Sequence, residues 1–168
     1  MLIIKYFILV FIVFIFQSWT SEFFSLGTID PDFCVIVILY IAVRDGRLNG
    51  VFVGFFMGLI IDLSSGLNQY FGLTPLIYTV TGYFCGFLNG QSNKLNKTYF
   101  TAVWIIIIMC QFLIFSLIVY QDYLIQDSFN FMVKWVSTSL YTLTFLGILQ
   151  VIIPIYKISK GQCLNQII

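Results

Sequence analysis

Asp62 is the acidic residue of this sequence that is best placed for chemistry, because it stands near the end of a long apolar segment. A carboxylate at the centre of a bilayer costs about 2.5 to 3.5 kcal/mol on insertion scales, so an acid kept there usually has a role. Three roles are open: pairing with polar groups of a neighbouring helix, contact with a partner or ligand, and solvation at the membrane surface. A single carboxylate without a second acid, His or Lys on the same path does not make a proton relay.

The sequence contains no residue set typical of an active site. It has no His, which removes the side chain that most often serves as general base, metal ligand or pH switch. Its cysteines show no CxxC spacing, and three of the four lie in apolar runs, where Cys acts as a small apolar residue. We therefore predict no catalytic residue, no metal ligand and no cofactor.

The composition indicates an integral membrane protein. Of the 168 residues, 60% are hydrophobic and only 9% are charged, whereas a soluble domain carries about 25% charged residues. The formal net charge of +1 argues against a nucleic-acid partner. We expect residues 1–168 to form a single multi-pass membrane domain with membrane lipid around it.

Two glycine ladders are the most regular pattern in the chain. Each ladder advances in steps of four, which return to nearly the same face of a helix. Small residues on one face let a second helix approach closely in a membrane, where packing replaces the hydrophobic effect as the driving force. The predicted helix-packing or partner interface consists of Gly50, Gly54, Gly58, Asp62, Gly82 and Gly86.

The hydrophobic pattern predicts an all-α fold of six transmembrane helices. They cover residues of about 3–19, 31–43, 48–63, 70–88, 99–120 and 129–156. The first is expected to be retained, because no small-residue cleavage site follows its apolar run. The second begins at Pro31, which fits the first turn of a helix. It is shorter than a bilayer crossing, so we expect it to reach with its ends or to lie in thinned lipid.

Six crossings would separate the charges by sign. Lys5, Arg44, Arg47, Lys94, Lys97, Lys157 and Lys160 would lie on one side, and Glu22, Asp30, Asp32, Asp122 and Asp127 on the other. The positive-inside rule then places both termini in the cytoplasm. Arg44, Asp45, Gly46 and Arg47 form a predicted cytoplasmic turn, in which both arginines can pair with Asp45. Lys134 is an exception, expected to extend to the outer interface.

A longer stretch resembles the bacterial rod shape-determining MreD family. The resemblance covers residues of about 31 to 90 and depends on the order and spacing of its motifs. These motifs are Pro31-Asp32, Arg44 and Gly46, Gly50, Gly54 and Gly58 leading to Asp62, Gly66, Gly72-Leu73, Tyr78, Gly82-Tyr83, and Gly86.

The resemblance implies a non-enzymatic inner-membrane scaffold of the cell-elongation machinery. Its implied partners are the bitopic protein MreC, whose transmembrane helix it would receive, the filament protein MreB, the polymerase RodA and the elongation transpeptidase. Together they direct side-wall peptidoglycan synthesis and rod shape. The sequence leaves a homodimer open.

The same family is similar in fold to the membrane substrate-binding subunits of energy-coupling-factor transporters. This likeness gives an alternative function, a subunit that binds a vitamin-like solute for a membrane transporter. The solute would occupy a cavity at the outer face, near Asp62, Asn68, Gln69 and Tyr78. The two functions differ in their partner, which is a bitopic protein for the scaffold and an ATPase module for the transporter.

Overall fold

The computed structural model describes residues 2–24, 30–65, 70–91, 95–121, 123 and 127–156. These residues form six α-helices and no strand, which confirms the all-α prediction for the described chain. The helices are α1 Leu2–Phe24, α2 Phe33–Asp45, α3 Arg47–Ser65, α4 Leu73–Gly86, α5 Lys97–Val119 and α6 Ser128–Ile152. Predictions made for Gly66, Asn68, Gln69, Lys94, Asp122, Lys157 and Lys160, and for the side chain of Glu22, lie outside the described residues.

Several helix ends differ from the predicted ones for physical reasons. The fourth helix begins at Leu73 rather than at residue 70, because Gly72 precedes it with a left-handed φ of 95°. The sixth ends at Ile152 rather than at residue 156, because Pro154 disfavours a helical conformation for the residue before it. The second begins at Phe33 rather than at Pro31, because Asp32 caps the helix. The first continues to Phe24, past its predicted end at residue 19.

Three of the described helices are long and apolar enough to cross a membrane. They contain the segments Arg47–Ser64, Lys97–Val119 and Ser128–Ile152, and a shorter apolar helix covers Ile4–Thr20. Large apolar side chains are exposed on these helices, among them Phe11, Ile106 and Leu140. A surface of this kind is suited to lipid rather than to water. Six crossings with cytoplasmic termini stay a prediction.

The second helix lies in the interior of the protein. Nine of its 13 residues are buried, and it contacts α1, α3, α4 and α6. At about 1.5 Å per residue it is roughly 20 Å long, which is less than the hydrocarbon core of about 30 Å. Neighbouring helices cover most of its sides, so its fit in the membrane does not require its own ends to reach the lipid surface.

Candidate functional site

The glycine ladder of α3 faces α4 at backbone distance. A Cβ added at Gly50 would lie 2.7 Å from the carbonyl oxygen of Gly82, and one at Gly54 would collide with the carbonyl group of Tyr78. Such distances are shorter than any carbon side chain tolerates. Glycine is required at these positions because the two helix backbones touch.

The contact continues in both directions along the antiparallel pair. A Cβ at Gly58 would lie 2.5 Å from the Cα atom of Pro75, and one at Gly86 would lie 2.5 Å from the Cα atom of Arg47. The fourth helix therefore covers the glycine face of α3 from end to end. A partner helix has no access to that face while the pair is intact.

Asp62 stabilises the connection between these two helices. Its side chain is only 3% exposed, and its Oδ2 accepts a hydrogen bond of 2.7 Å from the backbone N–H of Gly72. A carboxylate at the N-terminal end of a helix also interacts favourably with the helix dipole. Of the three roles considered for Asp62, this geometry matches pairing with polar groups of a neighbouring helix.

The Arg44–Arg47 turn joins α2 to α3. Gly46 adopts a left-handed φ of 90° there, a conformation that favours glycine. Arg44 Nε lies 3.6 Å from Asp45 Oδ1, a pair in which Arg44 is exposed and Asp45 is partly buried. Arg47, which was also expected to pair with Asp45, instead places its guanidinium carbon 3.6 Å from the centroid of the Phe87 ring. The turn thus contacts the C-terminal end of α4 through Arg47.

Polar side chains from several helices meet at the start of α2, at the end of the bundle away from that turn. Asp32 Oδ1 accepts from the N–H of Val35 at 3.1 Å and caps the helix. Asp32 Oδ2 accepts a hydrogen bond of 2.5 Å from the Tyr78 hydroxyl of α4. The N–H of Asp32 donates to Thr142 Oγ1 of α6 at 3.2 Å.

Gln17 connects α1 to the same place with both ends of its amide. Its Nε2 donates to the carbonyl of Pro31 at 3.0 Å, and its Oε1 accepts from the N–H of Phe33 at 2.9 Å. Gln17, Asp32, Tyr78 and Thr142 are called the polar hub below. The hub joins four helices, α1, α2, α4 and α6, by hydrogen bonds inside an apolar bundle.

A cavity of about 380 Å³ lies beside the polar hub. Asp32 and Tyr78 line it, with Asp30 and aromatic side chains of α1 and α5. Gln111 of α5 lines it as well and is 5% exposed. Within the described part of the chain, Gln111 Oε1 has no hydrogen-bond partner. The cavity thus combines acidic side chains, aromatic rings and an unpaired carbonyl oxygen.

An apolar groove of about 370 Å³ runs between α4 and α5, on the other side of Gln111. Its lining residues extend from Leu76 to Phe84 on α4 and from Ile106 to Ile114 on α5. Each side therefore presents about two helical turns, roughly 12 Å. A groove of this length and composition can receive part of an apolar helix.

A family model, the rod shape-determining protein MreD, matches residues 1–158. The chain belongs to the MreD family. The match extends well beyond residues 31–90, on which the sequence resemblance depends, and includes α1, α5 and α6. No curated protein and no solved structure matches the chain. As a member of the MreD family the protein is a membrane protein that acts in rod shape determination, and this is a family of structural proteins rather than of known enzymes.

Sequence reasoning missed several residues that organise this MreD-family protein. Gln17 and Gln111 were not singled out, although each is a polar residue in an apolar helix and such residues are usually kept for a reason. Asn89 was also missed. Its Nδ2 donates to the carbonyl groups of Val43 at 2.7 Å and Arg44 at 2.8 Å, which satisfies the free end of α2.

Proposed function

We propose that this MreD-family protein is a multi-pass inner-membrane scaffold of the cell-elongation machinery that binds the transmembrane helix of MreC. The family match over residues 1–158 carries the proposal. Through MreC the protein would act with MreB, RodA and the elongation transpeptidase in side-wall peptidoglycan synthesis. Its role is to fix the position of a partner and to shift the conformational balance of that partner by differential contact.

The α4–α5 groove is the proposed contact surface for MreC. The glycine face of α3 is covered by α4, so the ladder residues serve the α3–α4 pair rather than the partner. The groove, in contrast, combines buried apolar walls, such as Ile77, with exposed apolar rims, such as Leu76 and Ile106. A bitopic protein offers one apolar helix, which matches a groove that presents about two turns on each side.

Substitution of Ile106 by Trp tests the contact, with Ile12→Trp as the matched control. Both isoleucines are equally exposed, 59% for Ile106 and 60% for Ile12, but only Ile106 lines the groove. If the obstructed groove costs about 1.4 kcal/mol of binding free energy, the association constant with MreC falls about tenfold. We expect Ile106→Trp to reduce MreC co-purification in mild detergent by this factor and to impair rod shape, while Ile12→Trp changes neither. Equal MreC recovery with both variants at normal protein levels contradicts the groove assignment.

The alternative function is a vitamin-like solute-binding subunit of a membrane transporter, and the cavity beside the polar hub is the observation in its favour. Tyr78 lines that cavity, as the sequence prediction requires. Asp62, by contrast, uses its carboxylate to hold Gly72, and Asn68 and Gln69 lie outside the described residues. A pulldown in mild detergent separates the functions. A stoichiometric bitopic partner supports the scaffold, an ATPase module supports the transporter, and a second copy of the chain alone supports neither.

A further inference from the structure

We infer that the cavity beside the polar hub is a binding site for a ligand that carries an ammonium group, with Gln111 Oε1 and the Asp32 carboxyl group as its acceptors. This inference goes beyond the proposed function, because it is independent of MreC and of the α4–α5 groove. The ligand has a positively charged nitrogen and an apolar body. It is either a free amine or the headgroup of phosphatidylethanolamine, which share this chemistry.

The unpaired carbonyl oxygen of Gln111 is the first observation. Gln111 is 5% exposed, so its side chain is buried away from bulk water. No described residue donates a hydrogen bond to its Oε1. A buried acceptor without a donor costs about 1 to 3 kcal/mol. Gln111 lines the cavity, and a turn of its amide group would bring Oε1 to a ligand with an N–H donor there, which would remove that cost.

The acidic character of the lining is the second observation. Asp30 and Asp32 both line the cavity, and among the described residues no Lys or Arg does. The Asp32 carboxyl group already accepts hydrogen bonds from the Tyr78 hydroxyl and from the backbone N–H groups of Val35 and Cys34. A carboxylate oxygen has two lone pairs, so Asp32 retains acceptor capacity for a ligand.

Aromatic side chains supply the third observation. Phe14, Phe112, Phe115 and Tyr120 line the cavity together with Tyr78. Ring faces attract cations that have lost part of their hydration. Lys134 shows the preference locally, since its Nζ lies 4.6 Å from the Tyr120 ring centroid.

The size of the cavity fits such a ligand. Its volume of about 380 Å³ falls within the range of roughly 300 to 1,000 Å³ that small-molecule sites occupy. A lining that combines acceptors with aromatic rings selects a compact cation with an apolar body. An anion would meet the two acidic side chains Asp30 and Asp32 in the same lining.

Calorimetric titration with phenethylamine and with its neutral analogue 2-phenylethanol tests the charge requirement on the full chain in detergent. The two probes have the same ring and chain length and differ in the ammonium group. We expect saturable binding of phenethylamine and at least tenfold weaker binding of the alcohol, which corresponds to about 1.4 kcal/mol. Equal affinity for the two probes overturns the inference for a free amine.

Two variants locate the site, with Gln150→Leu as the control because Gln150 does not line the cavity. Asp32→Asn keeps a helix-capping side chain but removes the acidic group. Gln111→Leu removes the acceptor oxygen and replaces the side chain by an apolar one of similar size. We expect both to weaken phenethylamine binding about tenfold or more and Gln150→Leu to leave it unchanged. Since Gln111→Leu removes a buried acceptor that has no partner among the described residues, it is expected to keep the thermal midpoint or to raise it, which separates a binding effect from misfolding.

Lipid analysis distinguishes the two sources of the ammonium group. The wild type, Asp32→Asn and Gln111→Leu proteins are purified from nanodiscs that contain equal amounts of phosphatidylethanolamine and phosphatidylglycerol, and the retained lipids are quantified. Selective retention of phosphatidylethanolamine that both variants lose assigns the site to the headgroup. Unchanged retention together with variant-sensitive phenethylamine binding assigns it to a free amine. The inference fails if neither measurement responds to the substitutions.

Discussion

Gly54→Ala is expected to separate α3 from α4 and to lower the stability of the whole protein. The added Cβ would collide with the carbonyl group of Tyr78, which is backbone and cannot rotate away. Overpacking usually costs about 1 to 3 kcal/mol, and the gain in helix propensity from Gly to Ala returns at most about 1 kcal/mol. We expect a net loss of stability and reduced protein levels in cells.

Gly147→Ala is the matched control for this substitution. It lies within α6, and a Cβ added there would meet no atom of the described residues within 4 Å. The same chemical change is therefore expected to leave the unfolding midpoint unchanged or to raise it slightly. Unfolding in mixed detergent micelles, followed by tryptophan fluorescence, gives both midpoints under one condition. If Gly54→Ala unfolds at the same midpoint as Gly147→Ala, the close approach of α3 and α4 is wrong.

Asp32→Ala is expected to have the second large effect, because it removes the centre of the polar hub. The substitution deletes the cap at Val35, worth about 1 kcal/mol. It also leaves the buried Tyr78 hydroxyl without its acceptor, at a cost of about 1 to 3 kcal/mol. We expect a total loss on the order of 2 to 4 kcal/mol, measured in the same micelle unfolding assay.

Asp30→Ala is the control, since Asp30 is two residues away but exposed. It should unfold at the wild-type midpoint. Tyr78→Phe completes a double-mutant cycle with Asp32→Ala, and the coupling between the two residues reports the hydrogen bond itself. Additive effects of the two substitutions would show that the Asp32–Tyr78 bond does not contribute to stability.

Local patterns in the sequence were sufficient to predict the helices and the small-residue faces. The Pro31-Asp32 pair predicts a helix start at this place, but α2 begins at Phe33, because Asp32 caps the helix and Pro31 lies before the cap. The four-residue glycine steps predict a close helix contact because periodicity defines a face. A short connection also makes α3 and α4 antiparallel neighbours, which narrows the choice of partner for that face.

The polar hub and the cavity could not be predicted in this way, because their residues come from distant parts of the chain. Asp32 and Thr142, which share a hydrogen bond, are separated by 110 positions. A single polar residue in an apolar run, such as Gln17 or Gln111, gives no periodic signal for its partner. For Asp32, the sequence predicted the local helix start but not the bond to Tyr78, which depends on how α2 packs against α4.

The surface that a partner helix can contact also depends on packing that the local sequence pattern does not reveal. The glycine ladder identifies a surface made for a helix, and only the packed structure shows that α4 already occupies it. The α4–α5 groove has no comparable sequence pattern, since leucine, isoleucine and valine line most membrane helices. Docking surfaces of this MreD-family protein are therefore better sought in its exposed apolar concavities than in its glycine motifs.

Because α2 is enclosed by other helices, the distance between its two ends is fixed by the protein. Its first turn holds the polar hub and the cavity, and its last turn is held by Asn89 beside the Arg44–Arg47 turn. Protein rather than lipid surrounds most of the helix between these points. In bilayers of different thickness, we expect the separation between the start of α2 and the basic turn to stay the same, because side-chain packing rather than the lipid determines it.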